Sequence, residues 1–329
     1  MIAAAARAPA PSLDVPAFEV EGLRVMLDNA PLISDATLSV ARGECLGVVG
    51  ESGCGKTVTF LGAMGLLPRR MRVTGRVRLA GEDLLGRTEA QMERIRGRRV
   101  GMIFQDPQSG LNPVRTIGRQ LIEPLRLHLG LSPRAARDRA VELLSMVGIP
   151  TPASRLSAYP HEISGGMAQR VMIAIALASE PEVLIADEPT TALDVTVQLQ
   201  VLDLIRKIQQ DSGLAVIFIT HDLGVVAEIC QRVTVMYAGH TVETQAVPRA
   251  FATPLHPYTD ALLRCLPGLD GTLPAFLPGE VPVAGHAPPG CPFHPRCARA
   301  GDPCREAMPA GQDRARGRVA CHFPLEAAP

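Results

Sequence analysis

The chain has no tryptophan and few other aromatics, three Tyr and eight Phe in 329 residues. Stacking platforms for single-stranded bases are therefore not expected. There is no charge excess either: Lys plus Arg and Asp plus Glu number 33 each. Binding a phosphate backbone by counterion release needs a basic surplus, so nucleic acid is a poor partner. Long apolar runs are missing as well. The longest, Val171 to Ala178 and Leu214 to Ile219, fall far short of the ~18 residues of a membrane span, so the chain is expected to be soluble on its own. Residues 1–17 are rich in Ala and Pro with a single Arg. They lack the basic and apolar blocks of an export signal and read as a disordered lead-in.

What the chain does contain begins at residue 50. Gly50-Glu51-Ser52-Gly53-Cys54-Gly55-Lys56-Thr57 is a complete G-x-x-x-x-G-K-[ST] loop. It lies between an apolar run, Cys45 to Val49, that reads as a strand and a helix-like stretch, Val58 to Leu67. Glycines at 50, 53 and 55 let successive backbone N–H groups turn inward around a phosphate without Cβ clashes. The helix starting near Lys56 aims its positive end at the same anion. Lys56 is placed to reach the β- and γ-phosphates of a nucleotide, and the Thr57 hydroxyl to ligate Mg²⁺. Cys54 presents only its backbone there and reads as a small filler. A nucleotide-using chain without an export signal is expected in the cytosol, where eight Cys do not argue for a disulfide framework.

Strand-like runs recur at Phe18 to Val25, Thr37 to Val40, Glu44 to Val49, Val73 to Leu79, Val100 to Phe104, Val183 to Ala186, Ala215 to Ile219 and Val233 to Met236. Helical patterns lie between the later ones, at Ser164 to Ser179 and near 195–210 and 224–230. That alternation predicts an α/β fold with a parallel sheet and helices on both faces. Residues 111–162 change character, with Pro, Arg and helically spaced Val141, Leu144 and Val147, and read as a helical insert. After Cys265 the composition shifts to Pro, Gly, Arg and Cys, which sets a second boundary.

Downstream of the loop, Val183 to Asp187 and Glu188 form an apolar strand ending in two carboxylates. The first suits Mg²⁺; the second suits a general base or a water-orienting group. Ser164-Gly165-Gly166-Met167-Ala168-Gln169 opens the next helix. Ser164 can cap it, while Gly165 and Gly166 leave its first N–H groups open to an anion.

The set resembles the ATP-binding cassette (ABC) ATPases across residues 18–265. Gly50 to Thr57 is similar to Walker A, Gln105 within Ile103 to Pro107 to the Q-loop, and Ser164 to Gln169 to the signature, with Met167 where many members carry Gln. Val183 to Glu188 is similar to Walker B, Ala192-Leu193-Asp194 to the D-loop, and His221 to the switch histidine. Ile103 to Pro107 followed by Leu111-Asn112-Pro113, with Tyr159 to Glu162, Met236 to Gly239 and His256 to Thr259, resembles the ATPase subunits of oligopeptide, dipeptide and nickel importers.

The resemblance implies a P-loop NTPase fold with an antiparallel β subdomain, a helical subdomain near 108–166 and a C-terminal extension over 266–329. It implies ATP and Mg²⁺ as ligands, with Thr57, Gln105 and Asp187 at the metal. Glu188 would be the base, Gln105 would position water and His221 would donate to the γ-phosphate. Asp194 would order a partner cassette's phosphate loop, and Ser164, Gly165, Gly166 and Gln169 would meet nucleotide held on that partner. The expected partners are two membrane permease subunits, a second ATPase subunit (identical or paralogous) and, indirectly, an extracytoplasmic solute-binding protein. The expected place is the cytoplasmic face of the inner membrane, and the expected role is driving uptake of dipeptides or oligopeptides. Nickel, glutathione or another small solute, or a non-transport ABC ATPase, are the alternatives. One departure stands out: Leu27 occupies the slot where the family usually stacks an aromatic on adenine.

Cys291, Cys297, Cys304 and Cys321 are separated by five, six and sixteen residues and flanked by Pro and Gly. This is a metal-binding composition in a cytosolic chain, suited to an iron–sulfur cluster or to zinc, with free structural thiols as the remaining alternative. The resemblance to peptide-importer ATPases favours a [4Fe–4S] cluster. His294 and His322 could enter a zinc site but are expected to be solvent-exposed loop residues, and Cys45, Cys230 and Cys265 to be core or unassigned.

Overall fold

The computed structural model describes residues 15–106, 110–191, 193–266 and 276–325. Pro107 of the expected Q-loop phrase, Ala192 of the expected D-loop and most of the expected lead-in lie outside the described residues.

Twelve strands are described: β1 (Phe18–Leu27), β2 (Ala30–Val40), β3 (Cys45–Val49), β4 (Met71–Leu79), β5 (Glu82–Asp83), β6 (Val100–Ile103), β7 (Val183–Asp187), β8 (Ala215–Ile219), β9 (Arg232–Tyr237), β10 (His240–Ala246), β11 (Gln312–Arg314) and β12 (Gly317–Val319). Their order is β5-β4-β1-β2-β10-β9-β3-β8-β7-β6, with β12 and then β11 added onto β10. The stretch β9-β3-β8-β7-β6 is parallel throughout. Strands β1, β2, β4 and β5 form an antiparallel layer, joined to the rest through a single register pair, His240 with Asp35.

The apolar runs explain the parallel part. Every residue of β3, β7 and β8 is buried, as in strands covered on both faces. Side chains alternate across a strand, so each central strand feeds two cores. Val216 and Phe218 of β8 join one hydrophobic cluster, Ala215, Ile217 and Ile219 the other.

The principal helices are α1 (Lys56–Ala63), α2 (Ile117–Leu129), α3 (Pro133–Met146), α4 (Gly165–Leu177), α5 (Val195–Ser212), α6 (Leu223–Ile229) and α7 (Pro257–Arg264). Helices α2 and α3 lie within the segment 111–162. Thr116 caps α2 and Ser132 caps α3, each accepting from a backbone N–H in the first turn, and Pro133 follows at a position where its missing N–H costs nothing. Leu121, Leu125, Leu143 and Leu144 then pack into the same cluster as Val171 and Ile173 of α4.

Several boundaries differ from expectation. Helix α1 starts at Lys56 and ends at Ala63, because Gly65 adopts a left-handed conformation (φ +63°) just beyond. The strand expected at Thr37 to Val40 extends back to Ala30 through a hairpin turn with Asp28 at φ +53°. Strand β10 and the β11–β12 hairpin were not foreseen. Through them residues 276–325 join the cassette: β12 pairs with β10, and Cys291, Phe293 and Cys304 enter the cluster that contains the central sheet. No helix among the described residues is long and apolar enough to cross a membrane.

The parallel registers fix the site. Val48 of β3 and Asp187 of β7 both align with Ile219 of β8. The loops that follow these strands therefore leave the sheet at one edge, the usual ligand edge of such sheets.

Candidate nucleotide site and cysteine pocket

The loop after β3 is shaped for close backbone approach. A Cβ on Gly50 would lie 2.2 Å from the Met236 carbonyl oxygen. Gly55 caps α1 in a left-handed conformation (φ +104°) and supplies no side-chain acceptor, so the first N–H groups of α1 stay open to an anion. Buried Lys56 folds back over the loop, its Nζ donating to the carbonyls of Gly50 at 2.7 Å and Glu51 at 3.2 Å. Cys54 is buried beside it, and burial pushes its thiol pKa up against the pull of Lys56. That agrees with a filler.

Asp187 ends β7 beneath this loop. Its Oδ1 is buried without a hydrogen-bond partner. Burial raises its pKa, opposed by a side-chain hydrogen bond from Thr57. A buried carboxylate with an unsatisfied oxygen beside a hydroxyl is a fitting donor set for a hard divalent cation.

Glu188 follows with φ +46°, an uncommon conformation for a residue with a side chain. Its carboxylate accepts from Gln105 Nε2 at 3.0 Å and from Thr191 Oγ1 at 2.9 Å, and lies 3.3 Å from His221 Nδ1. The structure thus gathers Gln105, Glu188 and His221 from three separate loops. Thr191 was missed by sequence reasoning; its three-residue spacing from Glu188 was the available signal.

The signature and D-loop residues are placed differently. Exposed Ser164 caps α4 and accepts from Met167 N at 3.3 Å; Asp194 caps α5 and accepts from Val197 N at 3.0 Å. A Cβ on Gly166 would lie 3.1 Å from Val197, so the two caps adjoin. Among the described residues no hydrogen bond links Ser164–Gln169 to the phosphate loop. Gln169 departs from expectation. It is buried with its Nε2 unpartnered, because its place on α4 turns toward the core with Ala168 and Met172. Glu51 also departs. Its carboxylate pairs with Arg296 and its N–H donates to Tyr258, so neither faces the loop's interior. Leu27 ends β1 half-buried.

Cys291, Cys297, Cys304 and Cys321 line one small cavity, about 10 Å³ in volume, together with His256 and Phe293. Burial raises the Cys291 thiol to about 11 and the Cys321 thiol to about 12, and raises Cys297 as well. Among the described residues no three His, Cys, Asp or Glu side chains stand as a metal-holding group. The expected ligand geometry is therefore absent among the described residues, although the four thiols line one cavity. His256 was not foreseen here. Its Nδ1 accepts from Tyr258 N at 3.0 Å, which leaves the proton on a buried, unpartnered Nε2. His294 and His322 also line this cavity; His294, half-buried at the start of a 3₁₀ turn and so not the exposed loop residue expected, and His322 each lie 2.9 Å from a backbone carbonyl, of Cys291 and Ala307. Cys45 and Cys230 are buried with sulfurs 3.6 Å apart.

Comparison with known proteins gives a consistent result. The family model described as ABC transporter matches residues 33–191, and that of the oligopeptide/dipeptide transporter C-terminal region matches residues 242–304. A putative peptide import ATP-binding protein of Brucella abortus is 50% identical over 280 residues, covering 84% of each chain. The dipeptide transport ATP-binding protein DppD of Escherichia coli is 48% identical over 305 residues, covering 91% of this chain and 93% of that one. Among solved structures, cbiO1 of Clostridium perfringens, part of the ABC transporter complex cbiONQ, superposes with a TM-score of 0.63 at 25% identity, covering 73% of this chain and 92% of that one. A dimeric bacterial ABC transporter cassette gives 0.62 at 25% identity, covering 70% and 98%.

Proposed function

The chain belongs to the ABC transporter family, and from that membership we propose that it is the ATP-binding, ATP-hydrolysing subunit of an importer for dipeptides or oligopeptides. The observation that carries the reading is the meeting of Gln105, Glu188 and His221 at the sheet edge above the phosphate loop.

The residues divide the chemistry as follows. Lys56 exchanges its loop carbonyls for phosphate oxygens, and the open N–H groups of α1 hold the same phosphates. Asp187 and Thr57, with Gln105, would hold Mg²⁺, which neutralises charge between the phosphates. Glu188 takes the proton of the attacking water, Gln105 orients that water, and His221 donates to the γ-phosphate. Exposed Ser164 and Gly165, with Gly166, meet nucleotide on a second cassette, and Asp194 orders that partner's phosphate loop. Closure of the pair then moves two membrane permease subunits at the cytoplasmic face of the inner membrane, supplied by an extracytoplasmic solute-binding protein.

The cysteines are proposed to hold a [4Fe–4S] cluster, or zinc. Support comes from four soft donors lining one cavity, which His256, with its buried and unpartnered Nε2, also lines. The thiols must converge and lose their protons to do so. Iron, sulfide and zinc content of the purified chain tests this; absence of all three after anaerobic purification overturns it.

The functional reading is tested in vesicles carrying the chain, its permeases and its binding protein. Peptide-stimulated ATP hydrolysis is expected. Stimulation by nickel or glutathione and not by peptides overturns the solute, and absence of hydrolysis overturns the whole reading.

A further inference from the structure

The phosphate loop is gripped from outside by the cysteine-bearing segment. Arg296, one residue before Cys297, donates from Nη1 to Glu51 Oε2 at 2.8 Å and from Nη2 to Glu51 Oε1 at 3.0 Å. The same guanidinium donates from Nε to the Pro278 carbonyl at 2.8 Å and from Nη1 to the Tyr237 hydroxyl at 3.3 Å, and it lies 5.8 Å from the Tyr237 ring centre. Its side chain is only 6% exposed. On the other side of Glu51, the backbone N–H donates to the hydroxyl of buried Tyr258 at 3.0 Å. Both the side chain and the backbone of Glu51 are thus held by groups more than 200 positions away in sequence.

We propose that Arg296 and Tyr258 are positioning residues for the nucleotide site, acting through Glu51 to hold the phosphate loop in its binding shape. Neither touches nucleotide. The line of force is short. Lys56 is anchored on the carbonyls of Gly50 and Glu51, so the peptide that Arg296 and Tyr258 orient is the one from which Lys56 reaches the phosphates. A two-pronged, charge-assisted fork on a nearly dry guanidinium fixes direction as well as distance. A loop held in its bound shape binds without paying for ordering. The fork is also braced: Phe293 packs at 5.2 Å from both Tyr237 and Tyr258, which stand 4.6 Å apart. The segment carrying Cys291 and Cys297 is therefore part of the nucleotide site's frame.

This inference rests on the nucleotide reading given above, and the test separates the two. The full-length chain is titrated with a fluorescent ATP analogue and Mg²⁺, and its melting temperature is measured without nucleotide. Arg296→Ala is expected to raise the dissociation constant about tenfold. Arg296→Lys, which keeps the charge and loses the fork, is expected to fall between. Glu51→Arg combined with Arg296→Glu is expected to recover part of the loss. Tyr258→Phe deletes only the acceptor hydroxyl, is expected to raise the constant about threefold with the nucleotide-free melting temperature kept, and decides the matter should Arg296→Ala not fold. Wild-type affinity in Arg296→Ala, or in Tyr258→Phe where it must stand in, overturns the inference provided Lys56→Ala binds weakly. Wild-type affinity in Lys56→Ala overturns the nucleotide reading itself.

Discussion

The side-chain amide of Gln105 donates to the carboxylate of Glu188 at 3.0 Å, bridging the loops that follow two neighbouring parallel strands. Thr191 donates to the same oxygen of that carboxylate, and His221 Nδ1 lies 3.3 Å from its other oxygen. The arrangement needs an acceptor at residue 188, which a carboxamide of the same size supplies only in part.

Glu188→Gln is therefore expected to keep nucleotide affinity and lose turnover. The hydrolysis rate should fall at least ~100-fold, the usual worth of a general base, while titration with ATP gives a constant close to that of the unaltered chain. Phosphate release from the assembled transporter checks it. Turnover near that of the unaltered assembly would remove Glu188 from the base role.

Asp187→Asn separates metal binding from folding. Burial raises the Asp187 pKa, so the charged form is penalised in the folded chain. For an acid raised this way, the penalty is complete above the folded pKa and vanishes below the unfolded one. At neutral pH the substitution should leave the nucleotide-free melting temperature unchanged or higher. The stabilisation given by ATP with Mg²⁺ should shrink, because the oxygen left without a partner is lost as a ligand. Melting scans with and without the metal–nucleotide pair measure both signs.

Burial holds the His256 pKa at about 3, against 6.5 when unfolded. A histidine kept neutral in the fold stabilises it above the unfolded pKa, and that contribution drains away as pH falls toward the folded value. Between about pH 7.5 and about pH 5 the chain should lose ~2 kcal/mol from this group. His256→Gln should lose that much less over the same interval, as read from denaturant unfolding at the two pH values.

Much of the nucleotide site was legible because its signals are local. A strand, a glycine-rich turn and a helix occur in sequence at Cys45 to Ala63, and an apolar strand runs straight into Asp187 and Glu188. Burial on both faces leaves such strands without any polar interruption, which is why their edges could be read. What failed was orientation and distance. Gln169 lies five residues after Ser164 and turns inward, while the motif alone says nothing of which way α4 faces. Glu51 and Arg296 are separated by 245 positions, and no periodicity links them. Strands β11 and β12 are three residues each and mostly polar or glycine, so no alternation marked them. The cysteine composition pointed to a metal-holding set, and the four thiols do line one cavity, but spacing along the chain could not say whether they converge as ligands, and among the described residues they do not.

Glu243 offers a test of the frame that leaves the nucleotide residues untouched. It is 1% exposed on β10, yet its carboxylate is fully engaged. Oε1 accepts from Leu255 N at 2.9 Å and from Gln245 Nε2 at 2.6 Å; Oε2 accepts from His256 N at 2.8 Å and from Thr259 Oγ1 at 2.6 Å. Both oxygens face backbone N–H groups at the start of α7, so a carboxamide in either orientation sets its NH₂ against a donor. Glu243→Gln should cost about 3 kcal/mol, since it both removes charge-assisted bonds and buries unpaired donors. Glu243→Asp should cost less if the shorter arm still reaches one backbone N–H. Because α7 carries Tyr258, the loss should extend to nucleotide affinity, and adding ATP with Mg²⁺ should recover less stability in Glu243→Gln than in the unaltered chain. Equal recovery in the two would show that α7 and the phosphate loop are mechanically independent.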